Sequence, residues 1–168
     1  MTSSPLTLIL GGARSGKTRH AEGLIKALPA PWVYVATAEV WDEEMRERVE
    51  RHKADRSEAG WITVEAPTDL AAALATDHPV LVDCLTLWVT NLMLGDHDID
   101  AATLRLEAAL ATRSAPTFLV ANEVGLGIVP DNKMARDFRD HAGRLHQRLA
   151  QKADQVILMV AGLPLTVK

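Results

Sequence analysis

The sequence predicts one three-layer α/β domain with a mostly parallel central sheet. Short apolar segments of strand length recur along the chain, and segments with helical patterns lie between them. The strand segments are rich in Val, Ile and Leu at consecutive positions, as expected of strands buried on both faces. A chain of 168 residues is long enough to bury a sizeable hydrophobic core as one domain. We therefore expect residues 1–168 to form a single domain.

Seven segments are expected to form the sheet. The six central strands are predicted at residues 6–10, 32–36, 62–64, 80–82, 117–121 and 156–160. Residues 162–167 begin with glycine and could turn back to add a short antiparallel edge strand. Alternation with helices implies right-handed crossovers, which place helices on both faces of the sheet.

Four longer segments are expected to be helices. Residues 17–28 stop before a proline, 42–54 are dense in charge, and 100–112 carry apolar residues at helical spacing. The longest candidate, 132–152, has its apolar side chains roughly on one face: Met134, Phe138, Leu145 and Leu149. In folds of this class ligands gather at the carboxyl ends of the strands.

Bulk properties exclude several classes of partner. The formal charge is −4 and no dense Lys/Arg block is present, which argues against nucleic acid and membrane surfaces and favours a small-molecule partner. Cys84 is the only cysteine, as is usual in a reducing compartment. The first apolar run, residues 6–10, is too short for a signal core or a membrane span. We expect a cytoplasmic protein.

A glycine-rich motif follows the first predicted strand. Residues Gly11, Gly12, Ala13, Arg14, Ser15, Gly16, Lys17 and Thr18 match G-x-x-x-x-G-K-[ST] and are followed by a predicted helix. The backbone N–H groups of such a loop, with the helix N-terminus, bind phosphate oxygens. We expect Lys17 to contact the β and γ phosphates and the Thr18 hydroxyl to bind Mg²⁺. The motif predicts a P-loop fold that binds a nucleoside triphosphate, and it leaves the phosphoryl acceptor open.

Two carboxylates follow later strands. Asp83 closes the apolar run 80–82, where a magnesium-binding carboxylate is expected. The alternative is an ordinary aspartate at a strand end or helix N-cap. Glu123 follows the run 118–122 and is the second candidate, able to orient or deprotonate an acceptor hydroxyl.

A third element is a histidine in the charged segment after residue 42. His52 lies beside Arg51, Lys53 and Arg56 in the sequence, and an imidazole among cations stays neutral more readily. A neutral imidazole can attack phosphorus. The alternative from spacing alone is an exposed helix histidine.

Four arginines follow the glycine-containing run 122–130. They are Arg136, Arg139, Arg144 and Arg148. They form either a solvated helix face or a contact with a ligand phosphate or another subunit.

The motifs taken together resemble those of one enzyme family. Residues 11–22, 34–38, 48–53, 83–92 and 122–130 are similar, in this order, to the bifunctional adenosylcobinamide kinase and adenosylcobinamide-phosphate guanylyltransferase family of cobalamin biosynthesis. The resemblance covers nearly the whole chain, and residues 94–112 match least clearly. It is far more specific than the phosphate loop.

The resemblance implies two reactions and a set of site residues. ATP or GTP, with Mg²⁺, would phosphorylate adenosylcobinamide, and GTP would then guanylylate His52, which passes GMP to the corrinoid phosphate. The positions that would contact the guanine nucleotide are Ala36, Thr37, Ala38, Lys53, Ala54, Asp55, Arg56, Glu65 and Asp83. The resemblance also implies a homotrimer with sites near subunit boundaries.

Two other functions compete with this one. The first is a small-molecule kinase without transferase activity, in which His52 would be an ordinary surface residue. The second is a nucleotide switch or binding module without catalysis. Residues 132–135 imitate the guanine-recognition pattern N-K-x-D of switch proteins, but Ala135 replaces the aspartate that would accept hydrogen bonds from guanine.

Overall fold

A computed structural model describes residues 5–168, except for the side chains of Arg48, His52 and Asp55. Its strands are β1 (Leu6–Gly11), β2 (Trp32–Ala36), β3 (Trp61–Glu65), β4 (Val80–Asp83), β5 (Thr117–Asn122), β6 (Gln155–Val160) and β7 (Leu163–Thr166). Its helices are α1 (Lys17–Lys26), α2 (Glu43–Glu58), α3 (Leu70–Ala73), α4 (Leu85–Leu94), α5 (Ile99–Ala111) and α6 (Lys133–Lys152).

The strands form one seven-stranded sheet in the order β3-β2-β4-β5-β1-β6-β7. The first six strands are parallel, and β7 pairs with β6 in the antiparallel direction. The predicted fold class and the antiparallel edge strand are therefore confirmed. Because β1 lies between β5 and β6, the loop that follows it has neighbouring strand ends on both sides.

Consecutive apolar residues of the strands contribute to two hydrophobic cores, one on each face of the sheet. In β1, Leu8 belongs to the core shared with α3–α6, whereas Ile9 belongs to the core shared with α1. Val82 and Leu81 of β4 divide in the same way. Successive side chains of a strand point to opposite faces, so an unbroken apolar run indicates a strand covered on both sides.

The two helices missing from the sequence-based interpretation are α3 and α4. In α4 six of the ten residues are buried, including Thr86 and Asn91, so the segment lacks the polar face that marks an amphipathic helix. The other boundaries shift by a few residues: α1 ends at Lys26, and α2 continues to Glu58. Met134 is exposed at the first turn of α6, while Leu145 and Leu149 are buried as their spacing predicts.

No helix in the described part of the chain combines the length and the apolar character needed to cross a bilayer.

A buried arginine joins the connections at the amino-terminal edge of the sheet. Arg113 donates hydrogen bonds to the carbonyl oxygens of Leu74 (2.6 Å), Thr76 (2.8 Å) and His78 (2.6 Å), and to Thr117 Oγ1 (2.6 Å). Burial lowers the pKa of its guanidinium. The planar group has enough donors to serve all four oxygens, which no other side chain does.

We expect Arg113→Ala to destabilise the domain by about 3 kcal/mol, because the carbonyl oxygens lose their buried donor. Urea denaturation would measure the change. Arg105→Ala, at an exposed position of α5, is the control and should change stability by less than about 0.5 kcal/mol. Equal effects of the two substitutions would contradict the assignment.

Candidate functional site

The glycine-rich motif connects β1 to α1 as the sequence predicts. Gly16 caps α1 with a φ of 91°, a left-handed conformation that favours glycine. A Cβ at Gly11 would lie 2.5 Å from Ser15 Oγ and 2.9 Å from the Met159 carbonyl oxygen. Glycine at both positions therefore lets the loop fold tightly against the end of β6.

Lys17 is buried at the base of the loop. Its ammonium donates hydrogen bonds to the Gly12 carbonyl oxygen (2.6 Å) and Ser15 Oγ (3.4 Å). Burial lowers the pKa of Lys17, while Cys84 and Asp83 act in the opposite direction. An ammonium has three donors, so a phosphate oxygen can accept the third.

The carboxylate of Asp83 joins three elements of the fold. Its Oδ2 accepts hydrogen bonds from Thr18 Oγ1 (3.0 Å) in α1 and from the Tyr34 hydroxyl (2.7 Å) in β2. Burial first, and then the charge of Asp83, raise the pKa of Tyr34 far above its usual range, so the phenol remains a donor. The structure thus brings together Thr18 and Asp83, the two residues predicted to bind a metal.

These oxygen atoms suit Mg²⁺. A hydroxyl and a carboxylate are hard ligands, and Mg²⁺ in nucleotide sites usually has one or two protein ligands together with phosphate oxygens and water. Within the described residues, no cluster of three or more His, Cys, Asp or Glu side chains could hold an ion without such help. Thr18 and Asp83 therefore fit a metal that arrives with a nucleotide.

A cavity of about 540 Å³, which we call the α2 cavity, lies between α2 and the strand ends. The register pairs Ala36 of β2 with both Glu65 and Asp83, so three predicted positions are neighbours in the sheet, and Ala36 and Asp83 line the cavity. The lining residues are Tyr34, Ala36, Ala38, Asp42, Glu44, Met45, Val49, Lys53, Arg56, Thr63, Asp83 and Leu87.

Two cations of α2 face this cavity. The Arg56 guanidinium lies 3.6 Å from the centroid of the Tyr34 ring, in stacking contact. Lys53 Nζ lies 2.8 Å from carboxylate oxygens of both Glu50 and Glu65, and these hydrogen bonds raise the pKa of Lys53. The α2 cavity therefore has two cationic side chains in its lining, together with the carboxylates of Asp42, Glu44 and Asp83.

Among the residues that the structure describes, the other positions predicted to contact the guanine nucleotide do not line the α2 cavity. Thr37 is fully buried, and its hydroxyl donates to the Cys84 carbonyl oxygen (2.7 Å) and accepts from the Cys84 N–H (2.8 Å), so it lies beneath the site. Ala54 is exposed on α2. The side chains of His52 and Asp55 lie outside the described residues.

A second cavity, of about 450 Å³, lies on the other side of the phosphate loop. We call it the β5 cavity. It is lined by Gly12, Ser15, Glu123, Val124, Leu126, Gly127 and residues 158–161. A third, of about 760 Å³, lies beside the start of α1 and includes Arg14, Arg19 and His20.

Three of the four arginines in α6 have protein partners. Arg136 donates to the carbonyl oxygens of residues 130 and 131, and Arg139 donates to those of 125 and 128. Arg148 makes a bidentate ion pair with Glu107 (2.7 and 2.9 Å), which lowers the pKa of that carboxyl. Arg136 and Arg139 thus shape the β5–α6 loop.

The interpretation of the sequence missed Tyr34 and Thr63. Tyr34 places a phenol hydroxyl within an otherwise apolar strand, and this polar group was the signal in the sequence that could have indicated a role in the site. Thr63 Oγ1 is the one buried side-chain oxygen or nitrogen without a hydrogen-bond partner among the described residues, and its residue lines the α2 cavity. No pattern in the sequence distinguishes it from an ordinary strand threonine.

Comparison with known proteins places this chain in a family. Residues 7–167 match the family model described as cobinamide kinase / cobinamide phosphate guanyltransferase. The chain is 43% identical to the bifunctional adenosylcobalamin biosynthesis protein CobU of Salmonella typhimurium, covering 97% of this chain and 99% of that protein. It is 44% identical to CobP of Pseudomonas aeruginosa, which carries the same description, covering 96% of each chain.

A solved structure supports the fold alone. The KaiC-like protein PH0186 from Pyrococcus horikoshii superposes with a TM-score of 0.50 over 92% of this chain and 71% of that chain, at 14% sequence identity.

We expect Gly11→Ala to weaken binding of Mg²⁺–GTP by about tenfold or more, because the added Cβ must displace Ser15 Oγ or the Met159 backbone. Isothermal titration calorimetry measures the Kd. Gly143→Ala, in α6 and away from the phosphate loop, is the matched control, since a Cβ there meets nothing within 4 Å. The assignment fails if Gly11→Ala binds like the wild type, or if both substitutions weaken binding equally.

Proposed function

Because the chain belongs to the cobinamide kinase / cobinamide phosphate guanyltransferase family, we propose that it catalyses both reactions in turn. It phosphorylates adenosylcobinamide and then transfers GMP from GTP to the product, which gives adenosylcobinamide-GDP. The observation that carries the proposal is the position of Asp83, which is hydrogen-bonded to Thr18 beside the phosphate loop and also lines the α2 cavity. One phosphate site thereby serves both steps.

In the kinase step a hydroxyl of the acceptor attacks the γ phosphorus of ATP or GTP, and the nucleoside diphosphate leaves. Lys17 and the loop N–H groups hold the phosphates and neutralise their charge. Mg²⁺, bound by Thr18 and Asp83, would supply further positive charge at the phosphate oxygens. Positioning and charge neutralisation are the main requirements of phosphoryl transfer.

In the transferase step His52 attacks the α phosphorus of GTP. A phosphorus–nitrogen bond forms, pyrophosphate leaves, and the corrinoid phosphate later displaces the histidine to take up GMP. Support comes from the neighbours of His52 in α2: Val49, three residues before it, and Arg56, four residues after it, both line the α2 cavity. Residues three and four apart share one side of a helix.

The α2 cavity suits a guanine nucleotide. Lys53 and Arg56 supply positive charge for phosphate, and the carboxylates of Asp42 and Glu44 can accept the N–H groups that guanine presents. Arg56 and Tyr34, already stacked on each other, provide flat groups beside which a base can lie.

The enzyme acts as a homotrimer in this proposal. The edge strand β7 supports subunit contact, since Leu163 and Leu165 in the strand and Val167 directly after it are exposed. An exposed apolar edge strand is usually covered in the working assembly. The nucleotide substrates and the lone Cys84 support a cytoplasmic location.

We expect Lys17→Ala to impair both steps and His52→Asn to spare phosphorylation while abolishing guanylylation. The measurement uses GTP labelled at the α phosphate and follows acid-labile label on the protein. His97→Asn, at an exposed position after α4, is the control and should retain the label. Absence of covalent label on the wild type, with phosphorylation intact, would establish a kinase without transferase activity.

We expect Leu165→Lys to dissociate the trimer, because a charge would have to be buried at the contact. Sedimentation velocity would report the change in mass. Leu104→Lys changes a similarly exposed leucine on α5 and should leave the assembly intact. A wild-type protein that sediments as a monomer would contradict the proposed assembly.

A further inference from the structure

We propose that the β5 cavity binds the acceptor of the kinase step and that Glu123 accepts the proton of the attacking hydroxyl. The inference rests on the proposed kinase activity and adds the site of its second substrate. It assigns the α2 cavity and the β5 cavity to different molecules, on opposite sides of one phosphate loop.

The position of the β5 cavity is the first argument. Gly12 and Ser15 of the phosphate loop form part of its wall, so an occupant lies beside the phosphates. Glu123 is fixed at the same place, because its N–H donates to the carbonyl oxygen of Gly11 at 2.9 Å. The main chain of Glu123 is therefore held against the first residue of the loop.

Charge is the second argument. Glu123 is the one ionisable residue in the lining of the β5 cavity, whereas the α2 cavity has Lys53 and Arg56, and the third cavity has Arg14 and Arg19. The triphosphate of a nucleotide is repelled by a lone carboxylate. The α2 cavity instead sets Lys53 and Arg56 beside its carboxylates, and the third cavity has Arg14 and Arg19 and no carboxylate among its described lining residues. The β5 cavity therefore suits a neutral or cationic acceptor that carries a hydroxyl group.

Apolar surface is the third argument. Leu126 in the cavity wall is 87% exposed, and Ile128 in the same loop is 96% exposed. Arg139 holds this loop by donating to the carbonyl oxygens of Gly125 and Ile128, both at 3.1 Å, so the apolar side chains are presented from an anchored backbone. Exposed apolar groups around a cavity indicate a binding surface. A corrinoid acceptor, with its broad macrocycle, provides an apolar face to cover them.

The proposed phosphoryl transfer needs no reactant other than the nucleotide, the acceptor and Glu123. The acceptor oxygen bonds to the γ phosphorus, and the bond from that phosphorus to the bridging oxygen breaks, which releases the nucleoside diphosphate. The hydroxyl proton passes to Glu123 and then to water. One carboxylate oxygen, Oε1, already accepts from the Gly125 N–H, and the other is left for the acceptor.

The binding test uses adenosylcobinamide in equilibrium dialysis, followed by its visible absorption. Leu126→Ser should weaken acceptor binding by about tenfold or more, because the leucine no longer covers the macrocycle. The Kd for GTP should stay within about twofold of the wild type. Leu104→Ser, another exposed leucine, is the control for both measurements.

The catalytic test is Glu123→Gln, which keeps the shape and removes the base. The kcat of acceptor phosphorylation should fall by about a hundredfold or more. Acceptor Kd should change by less than about threefold. Asp96→Asn, at an exposed turn after α4, is the control.

The outcomes separate this inference from the proposed function. The inference is overturned if the wild type phosphorylates the acceptor and both variants, Leu126→Ser and Glu123→Gln, behave like their controls. Dissociation of the oligomer by Leu126→Ser, with acceptor binding unchanged, also overturns it and makes the loop a contact between copies. Acceptor binding that depends on Leu126 without any phosphorylation supports the cavity assignment and contradicts the proposed kinase activity.

Discussion

The hydrogen bonds to the carboxylate of Asp83 are the interaction on which the site depends. Thr18 from the phosphate loop and Tyr34 from β2 both donate to the same oxygen, so one side chain of β4 fixes the loop against two neighbouring elements. Tyr34 also carries the stacked Arg56 of α2. Through these contacts the position of the phosphate loop and the shape of the α2 cavity are coupled.

Strand order places the ends of several strands beside one phosphate loop. β1 lies in the middle of the sheet, with β5 and β4 on one side and β6 on the other, so its loop is reached from several strand ends. The cavities beside it differ in their lining: the α2 cavity has Lys53 and Arg56 together with three carboxylates, whereas the β5 cavity has Glu123 and an apolar loop. This difference is the basis on which we propose separate places for the nucleotide and the acceptor.

The sequence predicted most of the fold because the strands are unbroken apolar runs and the loop motif has a fixed context. It did not predict α4, since leucines occupy exposed positions of this helix, Leu87 and Leu94, and no polar face reveals it. For the candidate site, the motif and a strand end predicted Thr18, Lys17 and Asp83. Other features of the site depend on contacts between distant segments, which no local pattern encodes. They are the hydrogen bond of Tyr34, the buried position of Thr37 and the hydroxyl of Thr63, which has no partner among the described residues.

The most direct test of the central claim is the activity of Asp83→Asn in both reactions, measured at several Mg²⁺ concentrations. The amide keeps the size of the side chain and removes its charge. If Asp83 serves one shared phosphate site, acceptor phosphorylation and GMP transfer should fall together, and both should require more Mg²⁺. Loss of one activity with the other unchanged would contradict a shared site.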